Sequence, residues 1–77
     1  MKRFSLFLFV LIIAIKLSAQ QSRLANQYYS NGEYEKAASL YQALYEKERS
    51  NEFYFQRLTE CLITLKKYEE AKDIINA

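Results

Sequence analysis

The chain has 77 residues, no histidine and one cysteine, Cys61, so it lacks the side chains that common general bases, Cys–His nucleophiles and histidine-based metal sites require. Its single glycine cannot build a glycine-rich phosphate loop, and its 11 basic and 9 acidic residues give a net charge of only +2. The composition therefore predicts no enzyme, no metal and no cofactor.

The segment 1–19 has the three-part layout of a secretory signal peptide. Lys2 and Arg3 supply the positive start, residues 4–15 are almost entirely apolar, and cleavage is expected after Ala19. The apolar run is shorter than the roughly 20 residues that a helix needs to span a bilayer. The sequence therefore predicts an exported bacterial protein, located in the periplasm, in the cell envelope or outside the cell. An uncleaved membrane anchor is the alternative.

Removing this leader changes the charge balance. Three of the 11 basic residues lie in it, which leaves 8 basic against 9 acidic residues in the rest of the chain. No cluster of lysine and arginine with interleaved aromatic residues is left, so a nucleic acid is not an expected partner. Contact with a membrane is expected only through the export signal or the uncleaved anchor.

Two helices are predicted directly after the leader. The first runs from residue 20 or 21 to Asn31, and the second from Tyr34 to about Arg49. Gly32 lies between them, where a left-handed backbone conformation would end the first helix. In the second helix the apolar residues recur at helical spacing on one face. They are Tyr34, Ala37, Ala38, Tyr41, Leu44 and Tyr45. The pattern predicts a helical hairpin with Ala37 at a close helix–helix contact.

A second pair of helices follows. Asn51 is expected to cap a third helix that runs to about Leu65, and a fourth helix is expected from Tyr68 to Asn76. The expected inner residues of the third helix are Phe55, Leu58, Leu62 and Leu65, and the apolar residues of the fourth are Ala71, Ile74 and Ile75. Cys61 lies in the third helix, and a partly buried, inert thiol is expected there. In an oxidising compartment this thiol could link two chains.

The two pairs overlay on each other when the sequence is shifted so that Leu24 falls on Leu58. The same shift matches Tyr28 with Leu62, Tyr34 with Tyr68, Glu35 with Glu69, Ala37 with Ala71, and Tyr41 with Ile75. A period of about 34 residues in helix–turn–helix units resembles the tetratricopeptide repeat (TPR) family. In the first unit the resemblance rests on Leu24, Ala25, Tyr28, Gly32, Tyr34, Ala37 and Tyr41, and in the second on Leu58, Leu62, Tyr68, Ala71 and Ile75.

The resemblance implies an all-α fold of two antiparallel helix pairs, a fragment of an α-solenoid. The signal peptide over 1–19 would precede two TPR-like repeats over 20–77, at about 20–50 and 51–77, the second incomplete. Lys66 departs from the pattern because it stands where the first unit has Gly32, so the second turn is expected to be strained or built differently.

The resemblance also implies a groove lined by the first helix of each pair. The groove positions fall on Asn26, Tyr29, Ser30, Phe53, Gln56, Glu60 and Ile63. These side chains could hold an extended peptide or a helix of a partner protein, or they could be ordinary solvated helix positions. Tyr29 and Phe53 are singled out because neither is expected to be needed for packing. The groove lacks the row of lysines that would mark a site for acidic peptide tails.

Two hypotheses of function follow from these features. In the first, the chain is an exported interaction module that binds a protein or peptide partner through the groove. In the second, it is an amino-terminal structural segment of a larger exported protein whose functional domain lies elsewhere. Two repeats form only a small core, and about three repeats are expected to be needed for a stable array. In addition, Ile74 and Ile75 are expected to be uncovered on one side. A longer chain, self-association or marginal stability would each account for this.

Overall fold

The computed structural model describes residues 19–77, and these form four α-helices without a β-strand. The first helix, α1, includes residues 19–30. The others are α2 (Tyr34–Lys47), α3 (Glu52–Thr64) and α4 (Tyr68–Asn76). The predicted all-α class is confirmed. Residues 1–18 of the predicted signal peptide, 1–19, lie outside the described residues. Ala19 and Gln20, on either side of the expected cleavage point, are both helical. No helix within residues 19–77 is long and apolar enough to cross a bilayer.

Three of the four helices end one or two residues earlier than predicted. The second helix ends at Lys47 instead of Arg49, because Glu48 leaves the helical region with φ −131° and ψ 75°. The first ends at residue 30 and the third at Thr64, in each case because a tight turn begins earlier than expected. Asn51 caps α3 as predicted, since its side-chain oxygen accepts a hydrogen bond of 3.2 Å from the backbone N–H of Tyr54.

Small residues bring the helices together around one core. Ala25 of α1 and Ala37 of α2 are fully buried, and Ala71 of α4 is almost fully buried. An alanine at a helix contact allows the backbones to approach closely, because no long side chain separates them. Ala37 was predicted to lie at a close helix–helix contact, and its complete burial agrees with that prediction. The buried core is completed by Ala38, Tyr41, Leu44, Leu58, Cys61 and Leu62.

Several side chains differ in burial from the sequence-based expectation. Phe55 and Leu65, both predicted for the core, are only partly buried, whereas Leu58 and Leu62 are buried as predicted. The hydroxyl of Thr59, which faces inward, donates to the backbone carbonyl oxygens of Phe55 and Gln56 at 3.0 Å, so this buried polar group is satisfied within its own helix.

The turns α1–α2 and α3–α4 have the same backbone geometry at equivalent positions of the two helix pairs. Gly32 has φ 77° and Lys66 has φ 62°, both in the left-handed region. The residue after each has nearly the same conformation, with φ −87° and ψ 67° at Glu33, and φ −89° and ψ 63° at Lys67. The backbone hydrogen bonds also correspond: Gly32 N–H to Tyr29 O and Glu33 N–H to Tyr28 O in the first turn, Lys66 N–H to Ile63 O and Lys67 N–H to Leu62 O in the second.

This pair of bonds is the Schellman arrangement that closes a helix with one left-handed residue. The expectation that the second turn is built differently is therefore wrong. The alternative expectation, that the turn is strained, agrees with the positive φ of Lys66, because a side chain with a Cβ adopts this conformation at a cost.

Candidate partner-binding surface

A hydrogen bond and an aromatic stack join α1 to α3 on the predicted groove surface. The hydroxyl of Tyr29 donates to Oε2 of Glu60 at 2.7 Å, across 31 residues of sequence. The guanidinium carbon of Arg57 lies 3.9 Å from the centre of the Tyr29 ring, which is the distance of a close cation–π stack. Two predicted groove residues on different helices, Tyr29 and Glu60, are thus in direct contact.

Arg57 connects this contact to the start of α3. Its guanidinium carbon lies 5.1 Å from the ring centre of Phe53, and its Nη1 atom lies 3.7 Å from Oε2 of Glu60. The guanidinium therefore lies among two aromatic rings and a carboxylate. Arg57 was not among the predicted groove residues, although its spacing of four residues from Phe53 and three from Glu60 puts all three on one helix face. This spacing is the feature of the sequence from which Arg57 could have been identified.

The same contact perturbs the titration of Tyr29. Its pKa is raised above the ordinary tyrosine value, chiefly because its hydroxyl donates to the negatively charged Glu60 and secondly because the ring is removed from water. The neighbouring Arg57 acts in the opposite direction but does not cancel the effect. At neutral pH the Tyr29 hydroxyl is therefore a protonated donor held by Glu60.

The expectation that Tyr29 and Phe53 are not needed for packing is wrong, because each ring packs against another aromatic side chain. The ring of Tyr29 is partly buried against the core and meets the ring of Tyr34 edge-on, with centres 5.7 Å apart. Phe53 is more exposed, and its ring meets that of Tyr41 edge-on at 6.2 Å. Both aromatic side chains have a structural role beside any role in binding.

Of the remaining predicted groove residues, one forms a hydrogen bond between helices and three are exposed to solvent. The side-chain oxygen of Asn26 accepts a hydrogen bond of 2.6 Å from the hydroxyl of Tyr41, so Asn26 helps to join α1 to α2. Ser30, Gln56 and Ile63 are exposed, and Ile63 is the most apolar of them. Along α3 the exposed apolar side chains Phe53 and Ile63 thus lie at opposite ends of the stripe that contains Arg57 and Glu60.

This surface combines a compensated pair of charges with exposed apolar side chains. One cation and one anion compensate each other, and both ends of the stripe are apolar, with Phe53 42% and Ile63 48% exposed. Gln56 on α3 and Ser30 at the end of α1 are exposed and carry hydrogen-bonding groups. Among residues 19–77 no three histidine, cysteine or acidic side chains come together in a way that could hold a metal ion.

Cys61 is inaccessible in this fold. The residue is fully buried, and burial raises the pKa of its thiol, so the thiol is protonated at neutral pH. The expectation of a partly buried residue understated its burial. A disulfide link between two chains through Cys61 does not fit the folded structure, because the sulfur has no exposed surface from which to reach a partner.

A shallow cleft opens elsewhere, between α2 and α4. Its volume is about 180 Å³, and its lining includes Tyr45, Leu58 and Ile74, with Arg49 and Asp73 at the rim. Small-molecule sites usually enclose about 300–1,000 Å³. This cleft is below that range.

Comparisons of the chain with protein-family models, with curated proteins and with solved structures give no match.

Proposed function

We propose that the chain is an exported TPR-like module that binds a peptide or helix of a partner protein on the surface formed by α1 and α3. The observation that supports this most directly is the contact of Tyr29 with Glu60 and Arg57, because it joins the two helices into one continuous surface. A surface that is held rigid before binding loses less conformational entropy when a partner binds.

The repeated turn geometry supports the repeat assignment. The turns of the two helix pairs share the same hydrogen bonds, and their left-handed residues, Gly32 and Lys66, occupy equivalent positions, as expected for two units of one repeating structure. In such arrays equivalent helices line a common face. The proposed units are residues 20–50 and 51–77, and the proposed binding residues are the groove positions on α1 and α3 together with Arg57.

A peptide selection with the full chain tests the binding proposal. Phage-displayed random 12-residue peptides are selected on the immobilised protein, and the affinities of the enriched peptides are measured by fluorescence anisotropy. We expect Ile63→Glu to weaken binding by about tenfold or more, because it replaces an exposed apolar contact with a charge. Ile75→Glu is the matched control, since Ile75 is similarly exposed but lies on α4.

Two further substitutions test the contact between α1 and α3. Tyr29→Ala and Glu60→Lys are expected to abolish peptide binding while helicity, measured by circular dichroism, is retained. Tyr45→Ala and Glu70→Lys are the matched controls on α2 and α4. Peptides that bind all the variants equally, or that lose affinity with Ile75→Glu but not with Ile63→Glu, would contradict the proposed surface.

The proposed export rests on the layout of the leader. Mass spectrometry of the protein expressed in a bacterium is expected to detect a chain that begins at Gln20 in the periplasmic fraction. An intact chain found only in the membrane fraction would instead indicate the uncleaved anchor.

A further inference from the structure

One side of α4 exposes a stripe of residues at helical spacing. Tyr68 is 59% and Ile75 55% exposed, and Lys72 lies between them, four residues after the first and three before the second. We call these three residues the α4 outer face. They are separate from the proposed groove surface on α1 and α3.

The equivalent positions on α2 are buried or partly buried, and aromatic side chains of α3 cover one of them, Tyr41. Tyr41, the equivalent of Ile75, is fully buried, and its ring lies 6.2 Å from that of Phe53 and 6.3 Å from that of Tyr54. Ala38, equivalent to Lys72, is buried, and Tyr34, equivalent to Tyr68, is partly buried, with its ring edge-on to that of Tyr29 on α1. The second hairpin thus covers part of the face of the first that corresponds to the α4 outer face.

Between α2 and α4, the difference in burial lies on that face. Ala37 and Ala71 are also equivalent, and both are buried within their own hairpins. Since the turns that set the two hairpins have the same geometry, the exposure of Tyr68 and Ile75 does not come from a different hairpin shape. It comes from the absence, among the described residues, of a helix in the position that α3 takes on α2.

From this correspondence we infer that the α4 outer face docks an amphipathic helical hairpin of a partner protein, stacked as the second hairpin stacks on the first. The α2–α3 contact defines the chemistry of the partner. Its first helix needs aromatic residues over Ile75, as Phe53 and Tyr54 lie over Tyr41. Its turn would place a cation near Glu69, as Lys67 of the second turn lies 3.6 Å from the equivalent Glu35.

Lys72 adds a requirement that the α2–α3 contact does not have. It replaces the buried Ala38, so its ammonium group needs a carboxylate on the docked helix while its aliphatic stem contacts apolar side chains. The partner is therefore an amphipathic hairpin with an aromatic pair, a facing carboxylate and a basic turn.

A second copy of this chain does not meet these requirements. In a head-to-tail stack, α1 of the second copy would take the place of α3, with Glu33 in the place of Lys67. Glu33 would then face Glu69, which is a repulsion between like charges. Ala19 and Gln20 would stand in the places of Phe53 and Tyr54, so the aromatic cover of Ile75 would be missing.

The probe for this surface is a labelled synthetic peptide with the sequence of residues 51–77, which contains the aromatic pair and the basic turn. Its binding to the unlabelled full chain is followed by fluorescence anisotropy. We expect saturable binding that Ile75→Glu in the full chain weakens by about tenfold or more. Ile63→Glu is the matched control and is expected to leave this affinity unchanged, the reverse of its effect on groove-binding peptides.

Reversal of charge tests the docking geometry independently of apolar contact. Glu69→Lys in the full chain is expected to weaken binding of the probe, and a probe with Lys67→Glu is expected to restore it. Binding that survives Ile75→Glu would mean that the probe displaces the chain's own second hairpin, and this would overturn the inference. Absence of saturable binding, absence of the charge-reversal rescue, or a dimer of the full chain disrupted by Ile75→Glu would also overturn it.

Discussion

The repeated turn provides a quantitative test of the fold, because one copy has glycine and the other lysine in the same left-handed conformation. The conformation costs an ordinary residue about 1–2 kcal/mol. Glycine avoids this cost but loses about 0.5–1 kcal/mol more backbone entropy on folding than alanine does. Lys66→Gly should therefore stabilise the protein by a net of about 0.5–1 kcal/mol.

Introducing a residue with a Cβ at Gly32, in the first turn, should instead destabilise the protein. A Cβ at Gly32 would meet no atom within 4 Å, so Gly32→Ala introduces no clash and only the backbone cost is measured. The expected loss is again about 0.5–1 kcal/mol, because the left-handed φ is nearly the same in the two turns, 77° and 62°.

The change in the free energy of unfolding caused by each substitution is measured by urea unfolding of the full chain in a mild detergent, followed by circular dichroism. With a slope of about 1 kcal/mol per molar urea for a small domain, the midpoint should move by about 0.5–1 M, upward for Lys66→Gly and downward for Gly32→Ala. Lys66→Ala is the control, because it removes the charge but keeps the Cβ, and it should be nearly neutral. Equal stabilisation by Lys66→Gly and Lys66→Ala would refute the backbone argument, as would a neutral Gly32→Ala.

Three other predictions concern the core and the ionisable groups. Ala37→Leu should destabilise the protein by about 1–3 kcal/mol through overpacking, whereas Ser39→Leu on the exposed side of α2 should change the urea midpoint little; equal effects would show that Ala37 does not lie at a tight contact. The Cys61 thiol should react with a disulfide reagent only as fast as the fold opens, so reaction without urea at the rate of the unfolded chain would contradict its burial. Because the pKa of Tyr29 is raised in the folded state, its stabilising contribution is present below the unfolded pKa of about 10 and is lost as pH rises through the folded pKa. The urea midpoint of Tyr29→Phe should therefore fall less steeply above pH 10 than that of the unmodified protein, and parallel curves would contradict the contact with Glu60.

The helices could be predicted from sequence because local signals and apolar spacing agree. The glycine at position 32, the Asn51 cap and the spacing around Ala37 each indicate the same hairpins that the structure contains. The second turn could not be predicted correctly from the residue type of Lys66. A lysine argues against a left-handed position, but packing of the helices on either side imposes the conformation at a cost that the core can offset.

The candidate surface was only partly predictable for a different reason. Helical spacing indicates which residues share a face, so Glu60, Phe53 and Ile63 could be assigned to the exposed side of α3. Spacing does not show how the ends of long side chains meet across two helices. The stack of Arg57 on Tyr29 depends on the distance between α1 and α3, which is a property of the packed structure.

The α1–α3 surface and the α4 outer face differ in whether their side chains already contact one another. On the α1–α3 surface, Tyr29, Arg57 and Glu60 already contact one another, so a partner must bind around them or replace those contacts. On the α4 outer face, Tyr68 and Ile75 are exposed although their equivalents on α2 are wholly or partly buried, so a docked helix would bury apolar surface without first breaking a contact of this kind. Binding at the α4 outer face should therefore depend on the apolar area buried over Ile75, with the charges of Lys72 and Glu69 setting which hairpin fits. Binding at the groove should depend on whether the partner's hydrogen bonds match those that Tyr29 and Glu60 give up.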